Sequence, residues 1–238
     1  MSDKDFVRGY LEDFSSLIKP SDTIIEKIIS VRDELVNASK NNAKIMIFGN
    51  GGSAAIASHV SVDLTKNAGI RCSNYNEADL ITCFSNDYGY ERWIEKAIDF
   101  YSDEKDVLIL ISYSGKTNEL KNIIQYANRN KVLLIGIMSK KDSILYKASD
   151  IKLVIPEVKE SGGIVPISST TAQIALGDAL AISAMQYKKF GKFDFKKFHP
   201  SGALGTKLKT VEDLMVTKNK LPLVYEYDSM KTGLKIIS

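Results

Sequence analysis

Three short polar stretches carry the residues with chemistry to offer. Residues 48–59 read FGNGGSAAIASH directly after the apolar run KIMIF. Residues 112–117 read SYSGKT after DVLILI, and residues 168–171 read SSTT at the start of a long helical pattern. A glycine-rich turn from strand to helix presents backbone N–H groups beside a helix N-terminus, a favourable seat for an anion. Gly51 and Gly52 would bare their amides there, while Ser53, Ser112, Ser114 and Thr117 would add hydroxyl donors. Ser168, Ser169 and Thr170 offer a further nest at the opening of their helix. Any one of these turns is also ordinary chain reversal and capping; three in one chain are harder to set aside.

The anion that fits is a single phosphate. Gly49-x-Gly51-x-x-Ala54 matches a loose dinucleotide pattern, but such a site wants an acidic residue at the end of the next strand. That strand ends near Ser73 and Asn74, and Glu77 comes late. A P-loop is excluded because no G-K-[ST] follows the glycines. His59 and Asp63 lie four apart on the helix after the glycine loop and so share a face.

The elements that must position these residues alternate. Helical spacing covers residues 4–18, and Pro20-Ser21-Asp22 stops that helix and caps the next. A strand is predicted at 44–48, a helix at 53–66, a short strand in IRCSNY and a helix in ERWIEKAIDFY. DVLILIS (106–112) is apolar almost throughout, as a parallel strand buried on both faces should be. Helix 118–129, strand 132–138, a helix near 142–148, strand 151–155 and a long helix at 168–189 complete the pattern. Right-handed βαβ crossovers then give an α/β chain, a three-layer α/β/α sandwich around a central parallel sheet. From about Phe195 the character changes, with strand-like pieces in LPLVYEY. We expect one domain over 1–210 and the opening of another module over 211–238.

Composition bounds the function. Hydrophobic residues make up 44% and charged residues 26% of 238, ordinary for a globular protein. A net charge of +3, evenly spread, argues against a nucleic-acid partner. No apolar run approaches the ~20 residues that cross a bilayer, so no membrane partner is expected. Cys72 and Cys83 have no metal-type spacing, and the charged N-terminus is not a signal peptide. A cytoplasmic setting follows. The amphipathic helices at 22–40 and 168–189 suggest a homo-oligomer.

FGNGGSA, LISYSGKT and SSTTAQIALGDALA, in that order, resemble the sugar isomerase (SIS) domain of phosphosugar isomerases and binders, over residues of about 30 to 210. The C-terminal part, with FHPSGALGTKL and VEDLM, is similar to arabinose-5-phosphate isomerases of the Kdo pathway. GNGGSAAIASHVSVDL with FSNDYGYERW is more similar to phosphoheptose isomerases. The resemblance implies an aldose–ketose isomerase acting on a sugar phosphate through an enediol, without a cofactor, in Kdo, heptose or capsule sugar synthesis. It implies Glu160 as the enediol base. It also implies His199 as the residue that opens the ring or shuttles protons, in a neighbouring subunit's site of a tetramer. Residues 211–238 would be a truncated cystathionine-β-synthase-type module. His59 and Asp63 match a histidine and a glutamate that serve metal binding and base catalysis in phosphoheptose isomerases. Asp178 stands where that family has a histidine, so a His–Asp pair near the sugar is expected here and no metal. Asp87 and Glu91 could reach sugar hydroxyls. Gly52 replaces a lysine and Lys116 a glutamate of the arabinose-5-phosphate isomerases. A non-catalytic sugar-phosphate sensor is the competing function.

Overall fold

A computed structural model describes residues 2–19, 21–160, 165–198, 206–217, 221 and 223–237. The chain divides into two compact units, Met1–Phe190 and Gly191–Ser238.

The first unit is built on five parallel strands: β1 (Ile45–Gly49), β2 (Cys72–Ser73), β3 (Val107–Ile111), β4 (Leu133–Met138) and β5 (Ile151–Val154). Their order is β2-β1-β3-β4-β5. The apolar runs become strands because each must bury both faces. Ile45 and Ile47 of β1 join Val107, Ile109 and Ile111 of β3 in one core. Met46 and Phe48 join Leu108 and Leu110 in the other. Each such side chain contributes roughly 1.5–3 kcal/mol when taken out of water.

The first core is covered by α2 (Asp22–Lys40), α3 (Gly52–Val62) and α8 (Ser168–Tyr187), with Leu35, Ile56, Val60 and Leu180 buried in it. The second lies under α4 (Ala78–Tyr88), α5 (Trp93–Tyr101), α6 (Glu119–Asn130) and α7 (Ile144–Ala148). α1 (Asp3–Leu17) opens the chain with a capping box between Ser2 and Asp5. The expected three layers are present.

Several details differ from the sequence expectations. The helix expected over 53–66 ends at Val62 and passes into a π-helical turn, Asp63–Asn67. IRCSNY pairs only at Cys72 and Ser73. α4 was not anticipated; Leu80, Ile81 and Phe84 fall at helical spacing and pack against the second core. In the second unit lie α9 (Lys192–Phe198), α10 (Val211–Leu214) and α11 (Met230–Ile237). The described residues of LPLVYEY form no strand.

Candidate functional site

β1 has β2 on one side and β3 on the other, so the strand order reverses between β1 and β3. The crevice beyond the carboxyl ends at such a reversal is where open α/β sheets bind ligands. Gly49 pairs with Ile111, so the glycine loop and the serine loop leave the sheet side by side. Between them lies a cavity of about 250 Å³ whose lining includes Asn50, Ser53, Ser112, Ser114, Thr117 and Glu119. Apolar side chains, among them Phe48, Ile94 and Leu120, form the rest of its wall.

Two glycines make the loops possible. Gly51 holds φ +55° and ψ −121° as the N-cap of α3, a conformation that L side chains rarely adopt. Gly115 holds φ +62°, and a Cβ there would lie 2.4 Å from Ser143 Oγ. Within the serine loop, Ser112 Oγ accepts from the Gly115 N–H at 3.2 Å and Ser114 Oγ from the Lys116 N–H at 3.4 Å. Both hydroxyls act as acceptors there, which leaves their protons for a ligand. Ser53 differs: its hydroxyl donates to Gln173 Oε1 at 2.7 Å. Gln173 is buried on α8 and was not singled out in the sequence.

The start of α8 faces the glycine loop, since a Cβ on Gly52 would lie 3.0 Å from Thr170 Cγ2. The nest expected there holds a carboxylate from this chain. Glu160 Oε2 accepts the N–H groups of Ile167 (2.9 Å) and Ser168 (2.8 Å), and Oε1 that of Ser169 (3.3 Å). Glu160 thus satisfies backbone donors that the helix leaves open and carries its negative charge to the positive end of the dipole. Ser168 and Ser169 are buried, and the Thr170 hydroxyl donates to the Pro166 carbonyl. Tyr113 ties the serine loop to the Glu160 segment, its hydroxyl accepting from the Val158 N–H at 3.0 Å.

His59 and Asp63 form a third group, outside the cavity lining. His59 Nε2 lies 3.3 Å from Asp63 Oδ2 and 3.0 Å from Asp178 Oδ1. The expected His–Asp pair is therefore a triad that bridges α3, the π-helical turn and α8. One ligand atom from each residue lies within 4.8 Å of the others. An imidazole between two carboxylates is a donor set that suits a small divalent cation.

Lys116 reaches Asp142 at 2.6 Å, and Glu91 accepts from Asn118 Nδ2 at 3.1 Å. Asp87 is exposed and accepts from Asn86. His199 lies outside the described residues. Glu119 and Asn50 were not foreseen: the Asn50 side-chain amide donates to the buried Glu119 carboxylate.

Residues 94–183, from α5 into α8, match the family described as SIS domain. This stretch is similar to a SIS domain. The serine loop and Ser168–Thr170 fall inside the matched stretch. An arabinose 5-phosphate isomerase of Yersinia pestis is 38% identical over 133 residues, which cover 55% of this chain and 40% of that protein. The chain spans from 40% to 65% of the length of this and two other curated relatives. Among solved structures, a phosphoheptose isomerase from Francisella tularensis superposes with TM-score 0.68 at 20% identity. It is matched over 78% of this chain and all of that one. An Escherichia coli protein in complex with arabinose 5-phosphate gives 0.66 at 22% identity, over 84% of this chain and all of that one. The fold is shared with both. No described helix is long and apolar enough to cross a membrane.

Proposed function

We propose that this SIS-domain chain is an aldose–ketose isomerase of phosphorylated sugars, of the arabinose 5-phosphate/ribulose 5-phosphate type. The observation that carries this is the hydroxyl-lined cavity between the glycine and serine loops, at the reversal point of the sheet. The relative named arabinose 5-phosphate isomerase supports the substrate class. The phosphate sits against Ser112, Ser114 and Thr117 and the N-terminus of α6, where hydroxyls and amides supply donors. The sugar carbons extend towards the start of α8. A base there removes the proton next to the carbonyl and returns it to the neighbouring carbon, and an acid moves protons between the two oxygens. We assign the first task to Glu160 and the second to His199, in a homo-oligomer with shared sites. Exposed apolar residues on α1 and α2, among them Phe6, Leu11, Ile25 and Ile29, supply surface for self-association.

Arabinose 5-phosphate, ribulose 5-phosphate and sedoheptulose 7-phosphate, each incubated with the protein in deuterated water, test this. The expected result is exchange of the C–H beside the carbonyl in one pentose phosphate, with interconversion of aldose and ketose. Binding without exchange in any of them identifies a sensor instead. Sedoheptulose 7-phosphate is the second reading, favoured by the His59–Asp63–Asp178 triad, which could hold a divalent ion beside a longer sugar.

A further inference from the structure

Among the described residues, Glu119 is the one carboxylate lining the phosphate cavity, and no lysine, arginine or histidine lines it. The residue is 6% exposed, and one of its oxygens accepts from the Asn50 amide. The polar side chains beside it in the lining are the Asn50 amide and the hydroxyls of Ser53, Ser112, Tyr113, Ser114 and Thr117. A doubly ionised phosphate ester offers acceptors only. It suits the hydroxyls and the loop amides, but a carboxylate has no proton to give it. Two like charges confined side by side in one small cavity cannot both stay ionised at low cost. A singly ionised ester keeps one P–O–H, the donor that an ionised carboxylate can accept.

We propose that Glu119 makes this seat selective for the protonated, singly charged form of a phosphate monoester, by accepting the hydrogen bond of its P–O–H group. The inference rests on the phosphate seat proposed above and deepens it. Other charged groups nearby are engaged elsewhere. Lys116 of the serine loop pairs with Asp142. Glu91 accepts from Asn118, and Arg92 pairs with Glu95 of α5 at 2.9 Å. Tyr113 is hydrogen-bonded at Val158, and α3 and α8 bring the neutral Ser53 and Gln173.

Phosphate esters lose their second proton at about pH 6. Binding at pH 8 must therefore bring a proton in from solution. Sulfate has the shape and charge of the dianion but no proton in this range, so the seat rejects it.

Calorimetric titration of the full chain with inorganic phosphate and with sulfate, in two buffers of different ionisation heat, tests this. At pH 8 we expect uptake of about one proton per phosphate bound, falling towards zero at about pH 5.5. Sulfate should bind at least about tenfold more weakly than phosphate. In Glu119→Gln the proton uptake should vanish and the two anions should bind within about threefold of each other. Phosphate binding to the wild type at pH 8 without proton uptake overturns the selector role while leaving the seat in place. Undiminished discrimination in the glutamine variant overturns it as well. Failure of the wild type to bind either anion overturns the seat itself. The wild-type proton count, taken together with the wild-type discrimination between phosphate and sulfate, decides the matter even where the variant fails to fold.

Discussion

Glu160 is assigned two jobs, and two substitutions separate them. In the structure its carboxylate accepts three N–H groups from Ile167, Ser168 and Ser169 at the opening of the 20-residue helix α8. Loss of a capping acceptor costs about 0.5–2 kcal/mol, and loss of a negative charge at a helix N-terminus about 0.3–1 kcal/mol. Glu160→Ala removes both and should cost roughly 2 kcal/mol, the upper part of that combined range. Glu160→Gln keeps an oxygen for the same donors and loses only the charge, so about 0.5 kcal/mol is expected. For a chain of this size each kcal/mol moves Tm by about 2–4 °C. The alanine variant should thus melt roughly 4–8 °C below the wild type and the glutamine variant only about 1–2 °C below. Activity should not follow stability. Both variants should lose exchange of the substrate C–H, because neither retains a base, with KM for the glutamine variant little changed. Thermal denaturation with parallel exchange in deuterated water gives both readouts. Exchange near wild-type level in Glu160→Gln would refute the base assignment and leave only the cap. Equal melting loss in the two variants would refute the cap.

Ser114→Ala removes a hydroxyl donor to an anion, worth about 1.5–3 kcal/mol, so KM should rise roughly 10- to 100-fold with kcat little altered; steady-state kinetics check this. Cys83 is exposed, whereas Cys72 is buried and burial pushes its thiol pKa up. A maleimide should therefore label the native chain once, at Cys83, as mass spectrometry after digestion would show. Lys44 ties the lower edge of the sheet by pairing with Asp103 at 2.7 Å and Asp106 at 2.6 Å. Burial lowers its pKa, but the hydrogen bonds and charges of the two aspartates outweigh this and hold it above the usual 10.5. Stability from a raised pKa is complete below the unfolded value and is lost as pH rises through the folded one. Lys44→Met should melt below the wild type at pH 7, and that gap should close above about pH 10.5; a gap constant up to pH 11 contradicts the pairing.

Much of this architecture is legible in local sequence. IMIF (45–48) and VLILI (107–111) are apolar at every position because a central parallel strand has no wet face, so strand, sheet type and loop position come from one short pattern. Likewise Ser112 and Ser114 could be placed from their own loop, since what they do depends on neighbours two or three residues away. What was missed depends on distant partners. Gln173 meets Ser53 and Asp178 meets His59 only where α8 crosses α3, more than a hundred residues along the chain. Glu119 looks like an ordinary acidic residue in the first turn of a helix. Only the packing of α6 against α5, and the amide of Asn50 above it, bury that carboxylate in the cavity wall. The π-helical turn that carries Asp63 has no pattern of its own, because one residue beyond helical register barely alters the spacing of the apolar side chains. The separate roles of Glu160 are hidden for the same reason: its partners start seven residues on, across the segment that returns the chain to α8.

The phosphate seat is tested most directly by a crystal structure of the chain soaked with arabinose 5-phosphate. The phosphate should lie within hydrogen-bond distance, about 2.6–3.2 Å, of Ser112, Ser114 and Thr117, with the sugar carbons directed towards the start of α8. A phosphate bound away from the cavity between the glycine and serine loops would contradict it.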